Sequence, residues 1–212
     1  MLNSNTKARF KKTLYILQQF KSKKRNYIKS EILKYEPYYE VKILNNSALS
    51  DIDHWHQLYR NVQNKSFELN TFDLPRKFFN NINLHPNSDI VGLFIKPDYL
   101  SDKKSRLVSI TFNFRTALNN YAGLVMGLDY HYMNSFNVYK QTLYQSILRA
   151  SGLNTNRMFL GLTAAETKTK LGALSSQQVA YIQIKDSYNV ALIDTMSNQT
   201  SNLTDPKTLV LV

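Results

Sequence analysis

The chain has 212 residues, with 27 Lys plus Arg, 15 Asp plus Glu, no Cys and 43% hydrophobic residues. That composition suits a globular protein of one large domain or two small ones, and excludes a disordered or fibrous chain. Without Cys there is no disulfide scaffold, thiolate metal site, Cys nucleophile or iron–sulfur cluster; no apolar run reaches the ~20 residues of a membrane span, and the basic N-terminus lacks the apolar stretch of a signal peptide.

Within the leading segment of 1–36, residues 1–34 hold ten basic residues from Lys7 to Lys34 against a single acid, Glu31, and so carry nine of the twelve net positive charges. Phe10, Leu14, Leu17, Phe20, Tyr27 and Ile28 recur at helical spacing, which predicts a basic amphipathic helix started by Asn5 or Thr6. Three readings fit it: a stripe packed on the body or a partner, a helix on an anionic membrane surface, and a helix contacting RNA phosphates. Pro37 ends it.

A strand follows over 39–44, then a turn at Asn45-Asn46-Ser47 and a helix with Ile52, Trp55, Leu58, Tyr59 and Val62 on one face. Leu74-Pro75 opens a shorter helix that buries Phe78, Phe79 and Ile82. Strands are expected over 89–96, 106–115 and 121–128. In the second, Leu107, Ser109, Thr111 and Asn113 alternate with Val108, Ile110, Phe112 and Phe114. In the third, Gly123 and Gly127 point to a bulge or a close backbone approach. A long helix over 134–151, a strand over 157–162 and a helix over 163–171 with a Thr163-to-Glu166 capping box come next. Strands over 178–185 and 190–194 precede a polar tail at 196–212. The order β-α-α-β-β-β-α-β-α-β predicts an α/β (α+β) fold, a mixed sheet flanked by helices.

Several chemistries have no foothold. His54 and His56 stand two apart on a helix, and His85 and His131 are isolated, so no metal site is expected. There is no P-loop, dinucleotide fingerprint or Gly-x-Ser-x-Gly elbow. The informative run is Gly161-Leu162-Thr163-Ala164-Ala165-Glu166-Thr167-Lys168, continued by Leu171-Gly172-Ala173. With Lys24-Arg25-Asn26-Tyr27-Ile28, Asn120-Tyr121-Ala122-Gly123-Leu124 and Asn137-x-Tyr139, it resembles the FemAB-like, peptidoglycan-biosynthesis-like N-acyltransferases of the GNAT superfamily. The resemblance spans roughly 24–194 and matches the C-terminal GNAT-like half of such proteins.

The resemblance implies a GNAT-like domain over 37–195 behind the basic helix of 1–36, with the polar tail 196–212 after it. It implies transfer of an acyl or aminoacyl group from acetyl-CoA, another acyl-CoA or aminoacyl-tRNA to a small amine, such as a cell-envelope precursor. The fourth and fifth strands would part at a bulge near Gly123 or Gly127, and the donor arm would lie in the gap. Asp129 is then the candidate base and Tyr130 or Tyr139 the candidate acid. Tyr121, Gly123, Asn137, Gly161, Thr163 and Lys168 would bind donor or substrate, Lys168 through a phosphate or carboxylate. Gly127 to Ser135 lacks the Gly-rich loop with which ordinary acetyl-CoA users hold the pyrophosphate. The competing reading is a non-catalytic GNAT-like protein, dimeric or paired with another subunit, that binds tRNA or an anionic membrane through 7–34. The expected compartment is the cytoplasm, with a peripheral position on the inner membrane face as an option.

Overall fold

The computed structural model describes residues 18, 20–65, 73–161, 164–177 and 207–211. Helix α1 (Ser22–Ile28) runs into a π-helical turn (Lys29–Leu33) and a 3-10 turn (Glu36–Tyr38). Strand β1 (Tyr39–Ile43) leads to α2 (Leu49–Lys65) and α3 (Arg76–Leu84). The meander β2 (Ser88–Ile95), β3 (Arg106–Arg115) and β4 (Tyr121–Leu128) follows. A 3-10 turn (Tyr130–Tyr132), α4 (Met133–Phe136) and α5 (Val138–Gly152) return the chain to β5 (Met158–Phe159). Helix α6 (Ala165–Lys170), β6 (Leu174–Gln177) and β7 (Lys207–Leu211) complete the described elements.

The seven strands form one mixed sheet in the order β1-β2-β3-β4-β5-β7-β6. All neighbours are antiparallel except β4 and β5. Ile52, Trp55, Leu58 and Tyr59 of α2, with Phe79 and Ile82 of α3, bury against Ile90, Ile110 and Phe112 on one face. Leu143, Tyr144 and Leu148 of α5 join Tyr121, Met158, Leu160 and Leu171 in a second cluster. Gly127 makes the first contact possible: a Cβ there would stand 2.7 Å from backbone atoms of Leu58 and Tyr59, so α2 rides directly on β4.

Two bulges set the side-chain phase. The β2–β3 register steps from Leu93↔Ser109 to Phe94↔Leu107, leaving Val108 as the extra residue. Leu107 therefore packs with Ile110 and Phe112, and Val108 with Leu128 and Val138, which corrects the simple alternation expected for this strand. The β3–β4 register steps from Phe112↔Val125 to Asn113↔Gly123, so Leu124 bulges outward.

Under the sheet, Asp89 is 4% exposed and its carboxylate takes both ends of the Arg149 guanidinium, at 2.7 and 2.9 Å, and the Tyr121 hydroxyl at 2.6 Å. Burial and the neighbouring carboxylate push the Tyr121 hydroxyl far above its ordinary pKa. The network ties β2, β4 and α5 together.

Other differences from expectation have local causes. The helix expected over 134–151 is interrupted at Asn137, whose φ of 54° is left-handed, a conformation Asn tolerates better than most residues. The strand expected over 157–162 pairs only at Met158–Phe159, and Gly161 at φ 76° turns the chain away. Helix α6 starts after Ala164, at φ 55°, and the Glu166 carboxylate pairs with Lys170; Thr163 of the expected capping box lies outside the described residues. Strand β6 lies at Leu174–Gln177, before the 178–185 strand, which falls outside the described residues with the one over 190–194. Within the expected tail, Lys207–Leu211 forms β7; its Leu-Val-Leu run has strand propensity that the polar residues upstream obscure. In the described part of the basic segment, Ile28 and Ile32 are 1% and 0% exposed and belong to the second cluster, in keeping with a stripe packed on the body.

Two substitutions test this packing. Gly127→Ala should lower stability by about 1–3 kcal/mol, read as a shifted urea midpoint with an unchanged slope, because neither backbone can yield cheaply. Arg149→Met should cost about 3 kcal/mol by leaving the Asp89 charge buried, and adding Asp89→Asn should recover part of the loss.

Candidate functional site

Strands β4 and β5 run side by side for two residues only, Tyr121↔Met158 and Ala122↔Phe159. The next β4 residue is Gly123, where a Cβ would lie 3.4 Å from the Phe159 carbonyl oxygen, and the Leu124 bulge follows at once. A bulge bends its strand and adds twist, so β4 turns from β5 at the point where pairing ends. Both strands point their C-terminal ends the same way. Asp129 and Tyr130 follow β4 there, and Gly161 follows β5.

Asp129 caps the 3-10 turn, its Oδ1 accepting from the His131 amide at 3.0 Å. Tyr130 is half-buried beneath the Lys65 ammonium, 4.2 Å from the ring centre, and burial raises its pKa. Tyr139 is partly buried between two apolar clusters. Lys168 is 2% exposed and donates from Nζ to the Gly161 carbonyl at 3.4 Å, which brings two of the expected site residues together. Tyr121 stands apart from a cleft wall: it is 0% exposed and its hydroxyl is committed to Asp89, because the β4 residue that starts the sheet's α5 face is a core position. Thr163 lies outside the described residues.

At the start of α5, the expected site residue Asn137 is joined by Lys140 and Gln141, which sequence reasoning missed. Asn137 Nδ2 donates to the Glu31 carbonyl at 2.6 Å, Lys140 Nζ to the Glu31 carboxylate at 2.7 Å, and Gln141 Nε2 to the Ile32 carbonyl. The Lys140 hydrogen bond and charge hold the Glu31 carboxyl below its ordinary range. The ring of Tyr27 lies 5.6 Å from both Lys140 of α5 and Lys170 of α6. The available signal was Glu31 itself, one acid among ten bases, which needs a local reason. Among the described residues no group of three or more His, Asp or Glu gathers as metal ligands, and no helix is long and apolar enough to cross a membrane.

No protein-family model and no curated protein matches the chain. Solved structures do. A GNAT-family acetyltransferase from Staphylococcus aureus superposes with a TM-score of 0.51 at 14% identity, over 81% of this chain and 97% of its own. A Mycobacterium tuberculosis protein in complex with CoA and NLQ gives 0.52 at 12%, over 82% and 98%. A domain from Methanocaldococcus jannaschii gives 0.52 at 7%, over 82% and 97%. At such identities the likeness is one of fold, and the fold is that of the GNAT acetyltransferases, a mixed sheet flanked by helices as expected.

An acyl-CoA fits this surface in part. The edge of β4 beyond Ala122 suits an amide-bearing arm, which pairs as a further strand would. Its diphosphate does not fit here. The α5 N-terminus faces the Glu31 carboxylate and the carbonyls of Glu31 and Ile32, and the turn before it has no Gly-rich run.

The Glu31–Lys140 pair has a pH signature. Because the folded pKa lies below the unfolded one, the pair stabilises the fold fully above about pH 5 and loses its effect as the pH falls through the folded value, below the ordinary ~4.3. Wild type and Glu31→Gln should therefore differ in melting temperature at pH 7 and converge as the pH falls through the folded value; a constant offset would show that the carboxylate's charge plays no part.

Proposed function

We propose that the chain is an N-acyltransferase that moves an acyl or aminoacyl group onto an amine, of the FemAB-like kind. The observation that carries this reading is the parting of β4 from β5 after Ala122, with the Leu124 bulge beside it. A strand edge released inside a sheet offers backbone partners to an extended amide-bearing arm and little to a compact ligand. Gly161 follows β5 at the head of the Gly161-to-Ala173 sequence run, and the basic segment exposes Lys23, Lys24, Lys29 and Lys34, which suit an anionic donor.

In the transfer, the amine nitrogen bonds to the acyl carbon, the bond from that carbon to sulfur or oxygen breaks, the nitrogen loses one proton and the leaving atom gains one. Asp129 accepts the first proton, and Tyr130, kept protonated by its burial, supplies the second. Tyr139 is the alternative donor. Lys168 places a cation in a dry setting beside Gly161, where it steadies negative charge building on the acyl oxygen. Asn137 and Gly123 orient donor groups, and Thr163 belongs to the same wall by its position in the run.

The test is product formation from acetyl-CoA, and separately from aminoacyl-tRNA, with a polyamine, an amino sugar and a dipeptide as acceptors. Turnover with one donor is expected, and Lys168→Met should lower kcat about 100-fold with little change in KM, as for loss of one oxyanion donor. No product from either donor, with a salt-sensitive RNA or vesicle complex instead, would replace this reading with the non-catalytic one.

A further inference from the structure

We propose that the apolar cavity under the first two turns of α2 is a binding site for a small primary amine carrying one aromatic ring, separate from the gap between β4 and β5. The cavity has a volume of about 160 Å³, close to that of an apolar space known to admit a single benzene ring. Leu44, Trp55, Phe94 and Leu107 form its apolar lining, and the exposed Asp51 and His54 mark its open side. It lies over β2 and β3 on the α2 face of the sheet, whereas the gap opens beyond β4.

The space exists because residue 92 is glycine. A Cβ on Gly92 would stand 2.5 Å from Leu44 Cδ1, 2.9 Å from Phe94 Cε2 and 3.1 Å from Leu107 Cδ1, so even a methyl group would push these side chains into the cavity. Apolar space left open in a fold costs stability, and a wall free to relax would close it. Here both walls are held. Asn45 grips β2 with both ends of its amide, Nδ2 donating to the Ser88 carbonyl at 3.1 Å and Oδ1 accepting from the Ile90 amide at 2.9 Å. Asn83, 2% exposed, holds Ser47 in the same way, accepting from its amide at 3.1 Å and donating to its carbonyl at 3.0 Å. Across the cavity, Arg76 ties down the start of α2 through the Asp53 carboxylate and the Leu49 carbonyl. The turn that carries Leu44 and the helix that carries Trp55 are pinned separately, which leaves a preformed site between them.

The charge at the opening selects the ligand. The neighbouring acids are engaged, Asp53 with Arg76 and Asp73 with Arg60. The Asp51 carboxylate meets no cation or side-chain donor among the described residues. Lys42 stands nearby, its ammonium 4.8 Å from the centre of the Phe94 ring, but it is paired with Glu40 at 3.1 Å. An ammonium group at the opening therefore meets an unpaired carboxylate, while a ligand carboxylate would be repelled by it. Trp55 and Phe94 give the ligand's ring aromatic neighbours inside.

Titration of the isotope-labelled full chain with phenethylamine, followed by amide NMR shifts, tests the site. Saturable shifts are expected at 44–47, 51–55 and 92–94, with 121–124 and 158–161 unmoved. Phenethyl alcohol should bind wild type about three- to fivefold more weakly, as for loss of one exposed ion pair, and hydrocinnamate more weakly still. On Asp51→Asn, a change at an exposed position, amine and alcohol should bind alike. Gly92→Ala should weaken phenethylamine binding by about 10-fold or more, because the displaced side chains fill the cavity. No saturable shift over 44–55, or shifts centred on 121–124 and 158–161 instead, overturns the site. Equal binding of amine and alcohol by wild type overturns the assignment of the ligand's charge. Undiminished binding by a folded Gly92→Ala overturns the cavity as the seat of the ring; should that variant not fold, the wild-type shifts and Asp51→Asn decide the question.

Discussion

A single buried carboxylate organises this fold. Asp89 lies at the start of β2, where water cannot reach it, and a charge in that position needs compensation from several directions. Arg149 arrives from the last turn of α5 with two hydrogen bonds, and Tyr121 arrives from the first residue of β4. Those contacts settle how α5 lies on the sheet. They also pin β4 at the residue where it meets β5, since the Tyr121 amide donates to Arg157 at 2.8 Å. The two strands begin together because Tyr121 is held, and their pairing ends where the Leu124 bulge enters β4 and Gly161 turns the chain after β5.

The gap between β4 and β5 is thus a consequence of placement more than of unusual residues. Beside it β4 carries a bulge, Gly127 lets α2 ride close on the same strand, and an apolar cluster lies beneath α5. The polar groups divide by depth. Lys168 is buried beside Gly161, whereas Lys140 and Lys170 are shallower and lie around Tyr27.

The three-stranded meander was legible because each strand has a long apolar phase and clear punctuation; the bounds of β3 and β4 coincide with those expected. The phase change at Val108 was not, because a bulge alters pairing without altering composition. The long helix was readable as one unit, but its break at Asn137 comes with a side-chain hydrogen bond to the Glu31 carbonyl, a contact between residues 106 apart. Gly161 and Lys168 were found through the short run they share. Tyr121 was singled out by the same kind of likeness, and only the long-range partner Asp89 shows that its hydroxyl is spoken for. The role of the α5 donors needed the tertiary placement of the basic segment, which charge counting left open among three surfaces.

The order of strands along the far half of the sheet has a bearing on assembly. Strand β7 follows β6 in sequence yet lies between it and β5, and β6 is joined to the sheet through β7. While the chain is being synthesised, β6 emerges before the strand that will hold it, so it must wait unattached. Residues 174–177 are exposed to misassociation during that interval, and an unpaired edge is the usual starting point for it. Three of the four are polar, Ser175, Ser176 and Gln177, which keeps the waiting segment soluble until its neighbour arrives.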